Sequence, residues 1–125
     1  MPSPVRALRL THDRLAGLAA GLGSGDETRM SYCKDWTIAQ VFSHLGSGAE
    51  IGMRWLAAAR EHTEPVGQEV LQEIWDKWNA RAPLEQVAEG VKADARLVET
   101  YEAMSARELA AAHPQYIGLL YNLAC

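Results

Sequence analysis

Trp36-Thr37-Ile38-Ala39-Gln40-Val41-Phe42-Ser43-His44-Leu45 decides the fold of this chain. Thr37 and Gln40 stand at the spacing of a capping box. In that motif the threonine hydroxyl accepts from one backbone N–H at a helix start and the glutamine side chain accepts from another. Trp36, just before the cap, and Val41, four residues after it, fit a hydrophobic staple. Val41, Leu45, Gly48, Gly52, Trp55 and Ala59 then recur at helical spacing, which predicts a long helix to about His62 with that set as its core face. Gly46, Gly48 and Gly52 lie inside it, each costing about 1 kcal/mol relative to alanine. Such an expense predicts close approach of a neighbouring helix or a ligand.

Outward from this segment the helical rhythm continues. Upstream, Ser3 and Pro4 read as a cap and first helical position, followed by Leu8, Leu15, Leu18 and Leu22 on one stripe with His12 beside it. The glycines of Gly21-Leu22-Gly23-Ser24-Gly25 end that helix, and residues 23–35 read as a polar connection. Downstream, a break at Thr63-Glu64-Pro65-Val66-Gly67 precedes a third helix from Gln68 to Ala80, carrying Val70, Leu71, Ile74, Trp75 and Trp78. Pro83 opens a fourth, through Val87, Val91, Val98 and Tyr101. Ser105 and Glu108 repeat the capping-box spacing before His113-Pro114, and a last apolar run begins at Gln115. No stretch alternates apolar and polar residues in the manner of a strand. The expectation is an all-α protein, an antiparallel four-helix bundle with its last helix shortened.

Composition narrows the function classes. The 125 residues are 48% hydrophobic and 22% charged, ordinary for one globular domain, so residues 1–125 are read as a single unit. A net charge of −4 argues against binding to nucleic acid or to an anionic membrane surface, both of which need a positive field. Two cysteines, Cys33 and Cys125, make no disulfide scaffold and no Cys-x-x-Cys pair. The start, Met1-Pro2-Ser3-Pro4-Val5-Arg6, lacks the pattern of a signal peptide, so a cytoplasmic location is expected. The run Tyr116 to Cys125 reads as a helix in progress, and the chain is expected to be cut rather than finished there.

Candidate chemistry rests on the histidines. His62 and His113 stand at helix ends, where a solvated or capping role is common. His12 reads as a histidine at the edge of the core with one satisfied hydrogen bond. His44 lies at the margin of the core face of the second helix, one turn before Gly48, which leaves space beside an imidazole. Trp55 follows on that side, so Gly48 and Trp55 are candidate pocket-lining residues. On these features alone His44 is either a partly buried structural histidine or a ligand, and both readings stay open. No phosphate-binding glycine loop, nucleophile elbow or paired-histidine metal motif is present. Cys33 reads as a small buried thiol, and Trp75 with Trp78 as core.

The segment from Cys33 to Leu45 resembles the Cys-x-x-Trp-Thr-Val-x-x-Val-x-x-His-Leu element of the mycothiol-dependent maleylpyruvate isomerase family, within the wider DinB-like group of helical bundles. Trp78-Asn79-Ala80-Arg81 followed by Pro83 is similar to that family's third-helix region, and the likeness runs from Leu8 to Cys125. The resemblance implies a DinB-like metal-binding domain in which His44 is the first ligand of a divalent metal, usually zinc. The other ligands would come from a stretch similar to Arg-x-x-Glu-x-x-x-His, and the sequence ends before it, so two of the three expected ligands are absent. It also implies a thiol cofactor, mycothiol or a similar small thiol. A metal in an open position lowers the pKa of such a thiol, and the thiolate then attacks a small electrophilic substrate, as an isomerase or a transferase. A reading from another class stands beside it: a non-catalytic bundle that forms a homodimer through Tyr116, Ile117, Leu119, Leu120 and Leu123.

Overall fold

The computed structural model describes residues 4–32 and 35–108. Four helices run α1 (Pro4–Ala20), α2 (Ile38–Glu61), α3 (Gln68–Asn79) and α4 (Pro83–Glu102). The chain is an all-α helical bundle, as its periodicity predicts. Cys33, His113, Cys125 and the apolar run at Tyr116–Leu123 lie outside the described residues. No helix among the described residues is long and apolar enough to cross a membrane.

The helix boundaries follow local chemistry. The N–H of Gly21 closes α1 on the carbonyls of Gly17 and Leu18. At the start of α2 the capping box forms in full: Gln40 N–H donates to Thr37 Oγ1 at 3.1 Å, and Thr37 N–H donates to Gln40 Oε1 at 2.8 Å. The helix stops at His62, held in the left-handed region at φ 56° with its N–H returned to the carbonyl of Ala58. Pro83 opens α4 in its first turn, where a missing N–H is no loss. Beyond α4, Ser105 and Glu108 exchange the two hydrogen bonds of a second capping box, each at 3.2 Å.

The connection between α1 and α2 carries more structure than its polar composition predicts. A single 3-10 turn at Asp26–Thr28 leads to an antiparallel bridge between Met30 and Thr37. Within it, Ser31 N–H and Ser31 Oγ both donate to the carbonyl of Trp36, each at 2.8 Å, and Ile38 N–H donates to the carbonyl of Arg29. This clasp holds Trp36 against the first turn of α2.

Packing sets the helix directions. Leu15, Ala19 and Leu22 at the end of α1 pack on Ala39 and Phe42 at the start of α2 and on Val87 at the start of α4. Val5 and Leu8 meet Ala49 and Leu56 of α2, Leu97 and Tyr101 of α4, and Met104 just beyond it. So α1 runs antiparallel to both, and α2 and α4 run parallel. On the other flank of α2, Ile51 packs with Ile74 and Trp78 of α3, whose chain direction opposes that of α2. Successive helices thus alternate in direction, with α2 at the centre.

The glycine expense is explained at one position in particular. A Cβ on Gly46 would enter the ring of Trp78 and stand 2.9 Å from Gly90 Cα, and a Cβ on Gly90 would stand 2.6 Å from the carbonyl oxygen of Phe42. Glycine on both helices lets α2 and α4 approach with Trp78 wedged beside them. Two expectations about faces are corrected. Gly48 and Gly52 of the expected face are buried, but the buried side of α2 also runs through Ala39, Phe42, Gly46, Ala49 and Leu56, while Val41 and Leu45 are only half-buried. A central helix touches neighbours on several sides, so its burial does not follow one apolar stripe. Leu18, assigned to the stripe of α1, is exposed.

Candidate functional site

Between α2 and α3 lies a cleft of about 610 Å³, lined by Trp36, Gln40, His44, Ser47, Gln72, Trp75, Asn79 and Gln86. Three helices contribute. Gln40, His44 and Ser47 are one turn apart on α2, so they share a face. Gln72, Trp75 and Asn79 repeat that spacing on α3, and Gln86 reaches in from α4. The half-buried imidazole of His44 meets the Trp36 indole edge-on, with ring centroids 4.9 Å apart and planes at 64°. That arrangement suits the charge distribution of two aromatic rings and fixes the tilt of the imidazole. The clasp ahead of α2 therefore acts on the site, because it places Trp36 there.

The remaining polar groups are anchored by neighbours. Ser47 Oγ donates to the carbonyl of His44 at 2.9 Å, and Ser43 Oγ, just behind, donates to Asn79 Oδ1 at 3.2 Å. Gln86 is buried and its Nε2 donates to the carbonyl of Trp78 at 3.2 Å; Gln72 Nε2 donates to Asp76 Oδ1 at 2.9 Å. These bonds hold amide and hydroxyl groups around the space, next to two indoles. Such a surface suits a ligand that is itself rich in hydrogen-bonding groups over a modest apolar body.

A metal fits the described residues poorly. The cleft lining offers one imidazole and no carboxylate or thiol. Among the described residues, no group of three His, Cys, Asp or Glu side chains could hold an ion. A catalytic zinc takes three protein ligands, so His44 alone does not make a zinc centre.

Comparison with protein families finds one model over residues 8–119, described as the mycothiol maleylpyruvate isomerase N-terminal domain. The chain belongs to that family. No curated protein and no solved structure matches the chain. The family's name associates the domain with mycothiol, and its match covers all four helices almost entirely.

In this mycothiol maleylpyruvate isomerase N-terminal domain the other residues singled out from sequence fall in different places. Gly48 is buried within α2, and Trp55 packs half-buried against the Ile51, Ile74 and Trp78 cluster; neither lines the cleft. The two candidates were placed by their distance along α2 from His44, whereas the cleft closes around the helix towards α3. The tryptophan pair divides. Trp78 is core, as expected, but Trp75 lines the cleft. His12 is the core-edge histidine its position implies, with Nδ1 2.6 Å from Asp94 Oδ2. His62 caps α2 in the open, as its place at a helix end suggests. Gln40, Ser47, Gln72, Asn79 and Gln86 were missed as site residues. Their helical spacing on α2 and α3 was the one signal available.

Proposed function

We propose that the domain binds a small polar thiol, mycothiol or a close analogue, in the α2–α3 cleft and presents its sulfur to an electrophilic substrate, serving an isomerase or transferase reaction. The observation that supports this most directly is the cleft itself: His44 stands at one side of a space whose other walls are indoles and hydrogen-bonding amides. Family membership supplies the thiol, and the lining suits such a ligand's polar body. Trp36 and Trp75 give it flat apolar faces, while Gln40, Gln72 and Asn79 give donors and acceptors that discriminate among polar ligands.

His44 is assigned to the sulfur end. In this reading its imidazole would be one ligand of a divalent metal, zinc by the family resemblance; the described residues supply no second ligand. Such an ion would supply the Lewis acidity that lowers the pKa of a thiol. The described residues do the rest. Trp36 holds the imidazole tilt, Ser47 ties down the carbonyl of His44, and the bulk of α2 and α3 keeps water from one side of the bound thiol.

Two measurements on the purified chain test this. Mycothiol binding is measured by calorimetry in the parent, in Gln72→Ala and in Trp75→Ala. The reading expects saturable binding, weakened about tenfold in each variant, the usual worth of one good polar or aromatic contact. Binding unaffected by both substitutions would remove the thiol from the cleft. Zinc content after dialysis is measured beside it, and any zinc held must fall in His44→Ala. Zinc retained undiminished in that variant would overturn His44 as a ligand.

A further inference from the structure

A second, smaller cavity of about 170 Å³ lies where α2, the end of α3 and the middle of α4 meet, and it shares no lining residue with the thiol cleft. Glu50, Met53, Trp78, Arg81, Glu89, Lys92 and Arg96 are among the residues that line it. Its feature is an arginine with one N–H group unpaired among the described residues. The Arg81 guanidinium carbon stands 4.0 Å from the centroid of the Trp78 ring, a cation–π stack, while Nη1 is buried with no hydrogen-bond partner among the described residues. A buried guanidinium N–H left unpaired is unfavourable, so such groups in folded proteins meet an acceptor.

The carboxylates at the cavity do not supply that acceptor. Glu50 is engaged already: Lys77 Nζ donates to both of its oxygens at 2.7 and 2.9 Å, and Trp78 Nε1 donates to one of them at 3.1 Å. Arg54 Nε lies a further 4.0 Å from Glu50. Glu89 Oε1 is 3.5 Å from Lys92 Nζ. Arg96 is exposed and its side chain has no ion pair among the described residues. Cations thus outnumber carboxylates around this space, on a chain whose net charge is −4.

We infer that this cavity is a binding site for a small tetrahedral oxyanion such as phosphate, held by Arg81, Lys92 and Arg96. A guanidinium fork matches two oxygens of such an anion, stacking on Trp78 sets its plane, and the enclosed Nη1 would meet the anion after a small shift of the side chain. The volume equals the share of roughly five or six waters in the liquid, which admits a phosphate group with some of its hydration. Trp78 couples the site to the fold, since the same indole that backs Arg81 is wedged against Gly46 and tied to Glu50.

Inorganic phosphate is the probe. The ¹⁵N-labelled chain is titrated with it at ionic strength held constant with chloride, following the Trp78 indole N–H and the backbone amides of Arg81, Lys92 and Arg96. The expected result is a saturable shift of these resonances. Arg96→Gln and Lys92→Gln, both at exposed positions, should each weaken it about tenfold, and Arg81→Gln should abolish saturation. A linear drift that is equal in the parent and in Arg96→Gln and Lys92→Gln would overturn the site, whether or not Arg81→Gln folds. Acetate saturating the same resonances more tightly than phosphate would overturn the tetrahedral assignment.

Discussion

An alanine at Gly46 would drive its Cβ into the ring of Trp78 and to within 2.9 Å of Gly90 Cα, and neither obstacle can step aside cheaply. Trp78 is held by Glu50, and the Cα belongs to a packed helix. Gly46→Ala should therefore destabilise the domain by about 2–3 kcal/mol, an overpacking penalty, despite its better helix propensity. Gly17, with nothing within 4 Å of a built Cβ, isolates the propensity effect. Gly17→Ala should raise stability by about 0.5–1 kcal/mol. Urea midpoints of the two variants, moving in opposite directions at unchanged slope, check both. Glu50 makes a different prediction. Burial alone would raise its carboxyl, but hydrogen bonds from Lys77 and Trp78, with the charges of Lys77 and Arg54, outweigh burial and hold it below the ordinary value of 4.5. A carboxyl lowered in the folded state stabilises fully above its unfolded pKa, and that contribution is lost as pH falls through the folded value. The parent should thus lose stability between about pH 5 and pH 3 more steeply than Glu50→Gln, as thermal melts across that window will show.

The start of α2 places both Trp36 and His44, so its cap carries weight beyond one hydrogen bond. Thr37→Ala removes the acceptor for Gln40 N–H and should cost about 1 kcal/mol. Because Thr37 stands between Trp36 and Ile38, whose backbones make the bridge hydrogen bonds, loosening the cap should weaken the ordered contact of the Trp36 indole with His44 in the same variant. Broadening of the Trp36 indole resonance, with α3 and α4 unchanged, is the readout. This element was highly legible: two residues at one spacing announced the cap, and both bonds form. The face of α2 was legible only in part. Gly48 and Gly52 of the expected face are buried, but so are Ala39, Ser43, Gly46, Ser47 and Ala49, none strongly hydrophobic, so their burial leaves little trace in an apolar periodicity. Small residues mark where a helix is approached closely, and a single stripe through Val41 and Leu45 puts the face too far round. The same limit applies to Trp75 and Trp78. Positions three apart on a helix differ by about 60° of rotation, enough to send one indole to the core and the other to the cleft.

Across the whole molecule, the order and type of the helices were readable because each has a helical period and a start or stop signal of its own. The cleft was readable only at His44. Gln40, Gln72, Asn79 and Gln86 come from three helices and carry no hydropathic signal, so only tertiary packing brings them together. The attachment of α1 raises the same question of which contacts govern assembly. His12 and Arg9 both make polar contacts from α1 to α4. His12, buried, stands with Nδ1 2.6 Å from Asp94 Oδ2, while Arg9 pairs in the open with Glu102 at 2.6 Å. Their distances are equal, but their surroundings differ. An exposed pair gains little over its hydrated parts, whereas a buried imidazole removed from its acceptor leaves a cavity and an unpaired carboxylate. His12→Ala should destabilise by about 2 kcal/mol, and Arg9→Ala far less. The loss should also be local. α1 is docked by half-buried Val5, Leu8, Leu15, Ala19 and Leu22, whereas α2 and α4 share the closest-packed seam. Hydrogen exchange should therefore speed up in α1 of His12→Ala before it changes in α2 or α4. Comparable losses in both variants would mean that charge, rather than burial, docks α1; uniform acceleration through all four helices would mean that the bundle opens as one unit.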